Sequence, residues 1–121
     1  MNVAVIGASN KPDRYSYQAV MLLKEKGHHV YPVHPRIKDI EGMTVYPSLK
    51  DIKDSIDTIS MYVAADVSNG MEQELVAKSP RRIIFNPGAE NPELATKLEN
   101  QGIQPVNACT LVMLRTNQFD R

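Results

Sequence analysis

The ten residues Gly7-Ala8-Ser9-Asn10-Lys11-Pro12-Asp13-Arg14-Tyr15-Ser16 hold the densest set of chemically usable groups in the chain. Gly7 removes a side chain where the backbone must turn sharply, and Ser9 and Asn10 place hydrogen-bonding groups beside it. Arg14 is spaced to pair with a phosphate, and Ser16 to cap or donate at the start of a following helix. The chemistry implied is the holding of an anion by backbone N–H groups and a helix start. The dinucleotide fingerprint is not met, because its third and sixth positions want glycine and here carry Ser9 and Pro12.

Three further segments carry groups of interest. In Val33-His34-Pro35-Arg36-Ile37-Lys38, nicotinamide dinucleotide enzymes would usually place a carboxylate for the ribose 2′-hydroxyl. Two cations, Arg36 and Lys38, and no acid favour a ribose that bears its own phosphate, as in coenzyme A or NADP, and disfavour NAD. His34 suits structural or adenine packing, whereas His28 and His29 are expected to be exposed bystanders at the opposite sheet edge. Tyr62-Val63-Ala64-Ala65 offers small residues for a groove that holds an adenine or a thin arm. Asn86-Pro87-Gly88 offers a turn in which Pro87 fixes the backbone and Gly88 permits close approach. Each segment also fits a plain turn or a solvated loop; their shared place in the fold links them.

That place follows from the periodicity. Strands are expected over Asn2 to Ile6, His29 to Val33, Thr58 to Val63, Arg82 to Phe85 and Ile103 to Val106. Helices are expected over Gln18 to Lys26, ended by Gly27; over Asp66 to Ala77, with Met71, Leu75 and Val76 inward; and from Asn91 or Glu93 to Asn100, ended by Gly102. Arg36 to Thr44 reads as an irregular connection. Ser48, with Asp51 three residues on, reads as the cap of a short helix, and the tail from Leu111 to Arg121 as a short terminal helix. Five strands alternating with helices predict an α/β fold, a Rossmann-like three-layer sandwich with a five-stranded, mainly parallel sheet. Ligands of such sheets sit beyond the carboxyl ends of the strands, where strand order reverses. All four segments lie at those ends.

Composition bounds the function. The chain has 121 residues, 14 basic and 14 acidic, which fits one domain spanning 1 to 121 and lacks the charge footprint of a general nucleic-acid binder. A single cysteine, Cys109, excludes an intramolecular disulfide and a cysteine-based zinc site. No charged and then apolar leader opens the chain and no run of about 18 apolar residues occurs, so a soluble, cytoplasmic protein without a membrane partner is expected. Met21, Met61, Met71 and Met113 are read as core, and Cys109 as a small packed residue that could alternatively reach the crevice.

With these segments in place, residues 2 to 110 resemble the stand-alone CoA-binding domain family, which is similar to the CoA-binding domain of the succinyl-CoA synthetase α subunit. The resemblance rests on Val5-Ile6-Gly7-Ala8-Ser9 with Pro12, Arg14, Tyr15 and Ser16. It rests further on Val30-Tyr31-Pro32-Val33-His34-Pro35, Ile40-Glu41-Gly42 and Tyr46-Pro47-Ser48-Leu49. It implies that the loop Ser9 to Pro12 and Arg14 contact phosphates, that Val33, Pro35 and the basic residues after it border the nucleotide, and that Val63 to Ala65 and Asn86 to Gly88 line the rest of the groove. The chain departs from the family in carrying His34 where asparagine is common, and Phe85-Asn86-Pro87-Gly88-Ala89 where an aromatic and glutamine-containing stretch is frequent.

For catalysis the residues offer little. No HExxH, GxSxG or GxxxxGK[ST] occurs, and no His and carboxylate spacing suggests a metal. Ser9, His34 and Asp66 could be assembled into a triad on paper, as such residues could in any domain of this size. The reading is therefore a non-catalytic binding protein for CoA or acyl-CoA, a sensor or carrier. The alternatives are an NADP-dependent reductase-like enzyme, and an interaction protein with a vestigial crevice whose tail hydrophobics serve a partner or a homodimer.

Overall fold

Short runs rich in Val and Ile, flanked by helix-patterned segments, can satisfy their backbone groups and bury both faces only in a parallel sheet covered on each side. The computed structural model, which describes residues 1–120, has this form. The strands are β1 (Asn2–Ile6), β2 (His29–Val33), β3 (Asp39–Ile40), β4 (Met43–Thr44), β5 (Thr58–Met61), β6 (Arg82–Phe85) and β7 (Gln104–Asn107). The helices are α1 (Tyr15–Glu25), α2 (Ala65–Ser68), α3 (Glu72–Lys78), α4 (Pro92–Glu99) and α5 (Thr110–Arg115). The main sheet has the order β2-β1-β5-β6-β7, parallel throughout.

Side chains alternate across this sheet with the two-residue period of a strand. Val3, Val5 and Ile84 face Val20 and Leu23 of α1 and Leu114 of α5. Ala4, Ile6, Ile59, Met61, Ile83 and Phe85 face Leu75 of α3 and Leu94 and Leu98 of α4. Burying one such aliphatic side chain contributes about 1.5–3 kcal/mol, so both layers are needed to hold the sheet. From β1 the chain moves outward to β2, then returns to the other side of β1 to form β5. Strand order therefore reverses between β1 and β5, and the loops after these two strands diverge there.

Several elements differ from the sequence-based expectations. β5 ends at Met61, and Tyr62 N–H makes one last bond to Ile6 O at 2.9 Å before the chain turns away. The helix expected over Asp66 to Ala77 is broken into α2, a 3₁₀ turn at Asn69–Met71 and α3, with Gly70 at the break. Helix α1 begins at Tyr15, three residues earlier than its apolar pattern. Ser48 does not cap: its hydroxyl donates to Asp51 Oδ2 at 2.8 Å, and the turn that follows is a three-residue 3₁₀ helix, Leu49–Asp51. The Arg36 to Thr44 connection contains the antiparallel ribbon β3–β4. Its two-residue loop needs positive φ twice, supplied by Glu41 at 50° and Gly42 at 83°.

The tail is packed rather than presented. Leu111, Leu114 and Phe119 are buried, whereas Val112 is exposed, so most of the hydrophobics expected to serve a partner belong to the core. The Phe119 ring lies 4.5 Å beneath the buried Arg82 guanidinium, whose Nε donates to Thr58 Oγ1 at 2.9 Å and whose Nη2 donates to Phe119 O. His28 meets the same ring in an edge arrangement, with centroids 5.1 Å apart. Its Nδ1 lies 3.2 Å from the N-terminal ammonium and its Nε2 lies 3.2 Å from Asp120 Oδ1. His28 is thus a joint between the two chain ends and not a bystander; His29, exposed as expected, stacks on Tyr31 at 4.7 Å. Burial, with the positive charge of the chain start beside it, holds the His28 imidazole below its ordinary pKa.

Candidate functional site

The divergence between β1 and β5 opens a cleft of about 520 Å³. Gly7 sets its floor. With φ at +85°, a Cβ at this position would meet Val63 Cγ1 at 3.0 Å and the Tyr62 backbone at 3.4 Å, so only glycine lets the two loops approach this closely. Gly7 N–H and Ala8 N–H both donate to Val33 O at 3.1 Å, which folds the loop back over the end of β2. Lys11 N–H is taken by Ser9 Oγ at 3.1 Å and Arg14 N–H by Lys11 O at 3.0 Å. Among the described residues the N–H groups of Ser9 and Asn10, and of Tyr15 and Ser16 in the first turn of α1, have no partner, and all four residues line the cleft.

Gly7, Ala8, Ser9, Asn10, Lys11, Arg14, Tyr15, Ser16, His34 and Val63 are brought together here. Lys11 and Arg14 enter no ion pair among the described residues, and no carboxylate lines the cleft. The wall of the cleft therefore carries two cations and no lining acid. Ile37 and Tyr62, which belong to the expected segments Val33 to Lys38 and Tyr62 to Ala65 without having been singled out as contacts, complete the wall. Tyr62 lies directly between Met61 and Val63, and its position at the end of a buried strand was the available signal. Its hydroxyl is buried close to Ser60 and Thr110 without a well-formed hydrogen bond, and burial pushes the phenol pKa up to about 12.

The remaining expected residues lie elsewhere. Pro12, Pro35, Arg36, Lys38, Ala64 and Gly88 are exposed and do not line the cleft, and buried Val33 contributes only its carbonyl to the loop. His34 Nδ1 accepts the N–H groups of Arg36 at 3.0 Å and Ile37 at 3.1 Å, so the ring organises the turn that carries the two cations. An asparagine side-chain oxygen would offer the same kind of acceptor, which accounts for His34 in its place.

Asn86 does not line the cleft, although it borders a second cavity beside it, and its side-chain polar atoms are engaged within the fold. Its side chain is 1% exposed, donates to Ser60 Oγ at 2.9 Å and Met61 O at 3.0 Å, and accepts Thr110 N–H at 2.8 Å. Ser60 and Thr110 hydroxyls lie 2.7 Å apart, closing a buried polar knot that ties β5, β6 and α5 together. Asn91 plays a parallel part on the other face: Oδ1 caps α4 by accepting Leu94 N–H at 3.1 Å, while Nδ2 reaches Ser68 Oγ and Asn69 Oδ1, both at 2.8 Å. Pro87 borders that second cavity too, shared with Tyr15 and Tyr62, beside the cleft. An open groove of about 470 Å³ along the outer side of β2, including His28 and His29, lies toward the strand starts, away from the switch point.

The arrangement can hold an anion on backbone amides and two cations. Ser9, His34 and Asp66 form no hydrogen-bonded triad, for His34 Nδ1 is occupied by its own turn and Asp66 does not line the cleft. Among the described residues no group of three or more His, Cys, Asp or Glu side chains is gathered to hold a metal, and no helix is long and apolar enough to cross a membrane.

Comparison with known proteins agrees with this fold. The profile of the CoA binding domain family matches residues 1–115. The chain is similar to the uncharacterized protein YneT of Bacillus subtilis, 27% identical over 100 residues, covering 83% of this chain and 74% of that one. It is similar to the ADP-forming acetate–CoA ligase II of Archaeoglobus fulgidus, 37% identical over 107 residues. That match covers 85% of this chain and only 16% of the ligase. A crystal structure of an uncharacterized protein superposes with a TM-score of 0.92 at 35% identity, covering 98% of this chain and 97% of that one.

Proposed function

The chain belongs to the CoA binding domain family, and from that premise we propose that it is a binding module for coenzyme A or its acyl thioesters, with no active site of its own. The observation that carries this reading is the cleft: unpartnered amides of Ser9, Asn10, Tyr15 and Ser16, with Lys11 and Arg14 beside them and no carboxylate in the wall. Such a site suits a pyrophosphate. Arg36 and Lys38, on the turn organised by His34, stand just beyond the cleft where a phosphate on the ribose would extend. The ligase relatives are named for reactions of CoA, and this chain spans only a small share of them, so the ligand is carried over to it and the reaction is not. The module acts as a sensor or carrier in the cytoplasm, as one domain, and without nucleic acid. Nothing in the comparisons supports the NADP reductase alternative.

Calorimetric titration with CoA, dephospho-CoA, NADP and NAD tests the reading. CoA binds, dephospho-CoA binds more weakly, and Arg14→Ala weakens CoA by about tenfold or more, the value of one charge-assisted hydrogen bond. Absence of CoA binding, or a preference for NADP, overturns it.

A further inference from the structure

The second cavity, of about 410 Å³, is more enclosed than the cleft and falls in the size range of small-molecule sites, about 300–1,000 Å³. Its wall is largely apolar and is formed by Tyr15, Tyr62, Pro87, Cys109, Leu111 and Val112; Arg115 is the one charged residue that borders it, and Asn86, whose polar atoms are engaged within the fold, borders it too. Two observations single it out. Tyr15 and Val112, 72% and 55% exposed, are among the few large hydrophobic side chains left in water by this fold, and both border this cavity. Tyr15 and Tyr62 also belong to the cleft, so the two spaces share a wall.

We propose that this cavity receives the acyl group of an acyl-CoA, a small apolar chain, while the phosphates of the same molecule rest on the Ser9 to Ser16 loop. This deepens the CoA reading and rests on it. A ligand lying over the loop reaches the cavity by passing Tyr15, and the group that arrives there meets aromatic and aliphatic surface with no carboxylate to repel or hydrate it. Burial of the acyl chain also covers Tyr15 and Val112, removing from water apolar surface that the unliganded fold exposes. The Val112 face of α5 then acts as the specificity element, set in position by the buried Leu114 on the opposite side of that helix.

The experiment is a calorimetric series with CoA, acetyl-CoA and butyryl-CoA on the wild-type chain and on Val112→Asp, with sedimentation at the same concentrations. Each buried methylene strengthens binding about fourfold, so butyryl-CoA exceeds acetyl-CoA by about fifteenfold when both added methylenes are buried. In Val112→Asp the ratio of butyryl-CoA to CoA affinity collapses toward one. CoA binding with a flat acyl series overturns this proposal and leaves the nucleotide reading standing. Binding of none of the three overturns both. Self-association of the wild type that Val112→Asp abolishes assigns the cavity to a second copy of the chain and likewise overturns it. The wild-type series decides the matter even if the variant does not fold.

Discussion

Replacing Asn86 with alanine separates a structural role from a ligand-binding one. The substitution leaves Thr110 N–H buried with no acceptor, since Asn86 Oδ1 is its partner at 2.8 Å. Met61 O keeps the backbone N–H of residue 86 at 3.2 Å, and Ser60 Oγ keeps Thr110 Oγ1 at 2.7 Å, so those groups lose one bond each without being stranded. One orphaned buried donor is worth about 1–3 kcal/mol and each lost hydrogen bond about 1 kcal/mol, for a total of about 3–5 kcal/mol. For a domain of this size about 1 kcal/mol moves the melting temperature by about 4 °C, so Asn86→Ala melts about 12–20 °C lower. Because Ser60 and Asn86 share one network, Ser60→Ala combined with Asn86→Ala destabilises by less than the sum of the two single changes. The assay is calorimetric melting of the three variants, together with CoA titration well below each melting point. The folded fraction of Asn86→Ala binds CoA within about threefold of the wild type, well under the roughly 1.4 kcal/mol of a tenfold change. Unchanged melting with a large loss of CoA affinity would refute the assignment of Asn86 to the core and return it to the groove.

Two other outcomes follow from the same structure. Gly7→Ala places a Cβ 3.0 Å from Val63 Cγ1 at a φ of +85° and destabilises the fold by about 1–2 kcal/mol or more, read as a lower melting temperature; CoA affinity falls with it because the β1 and β5 loops are pushed apart. His28 is held below its ordinary pKa in the folded chain, so the unfolded chain takes up the proton first. Stability from neutral His28 is complete above about pH 6.5 and is lost as pH falls from there through the folded pKa, with a slope of at most about 1.4 kcal/mol per pH unit. Melting temperature measured between pH 7 and pH 5 therefore declines, and His28→Gln flattens that decline; a wild-type profile flat across this window contradicts the assignment.

Much of the fold was legible because its signals are local. The apolar runs Asn2 to Ile6 and Arg82 to Phe85 and the stop at Gly27 each act within a few residues, and the structure places them as read; of the two starts read for α4, Asn91 or Glu93, it takes Asn91. The ribbon β3–β4 was hidden because its turn uses Glu41 at positive φ, where Asn or Asp is the usual sign. The break at Gly70 was hidden because the apolar spacing of Met71, Leu75 and Val76 continues past it. In the cleft, the Gly7 to Ser16 loop could be read from residue types, whereas Ile37 and Tyr62 carry no chemical signature and were legible only through the place of their segments at the strand ends.

Asn86 and His28 mark the boundary between what residue order dictates and what folding adds. Order dictated the alternation of strand and helix, and with it the parallel sheet and the switch point, because turn chemistry and hydrophobic period act over one element at a time. Which way Asn86 faces depends on Ser60 and Thr110, 26 and 24 residues away, and His28 acquires its partners only when the two chain ends meet over Phe119. Polar side chains take their roles from whichever partners burial leaves within reach, and burial is a property of the assembled layers.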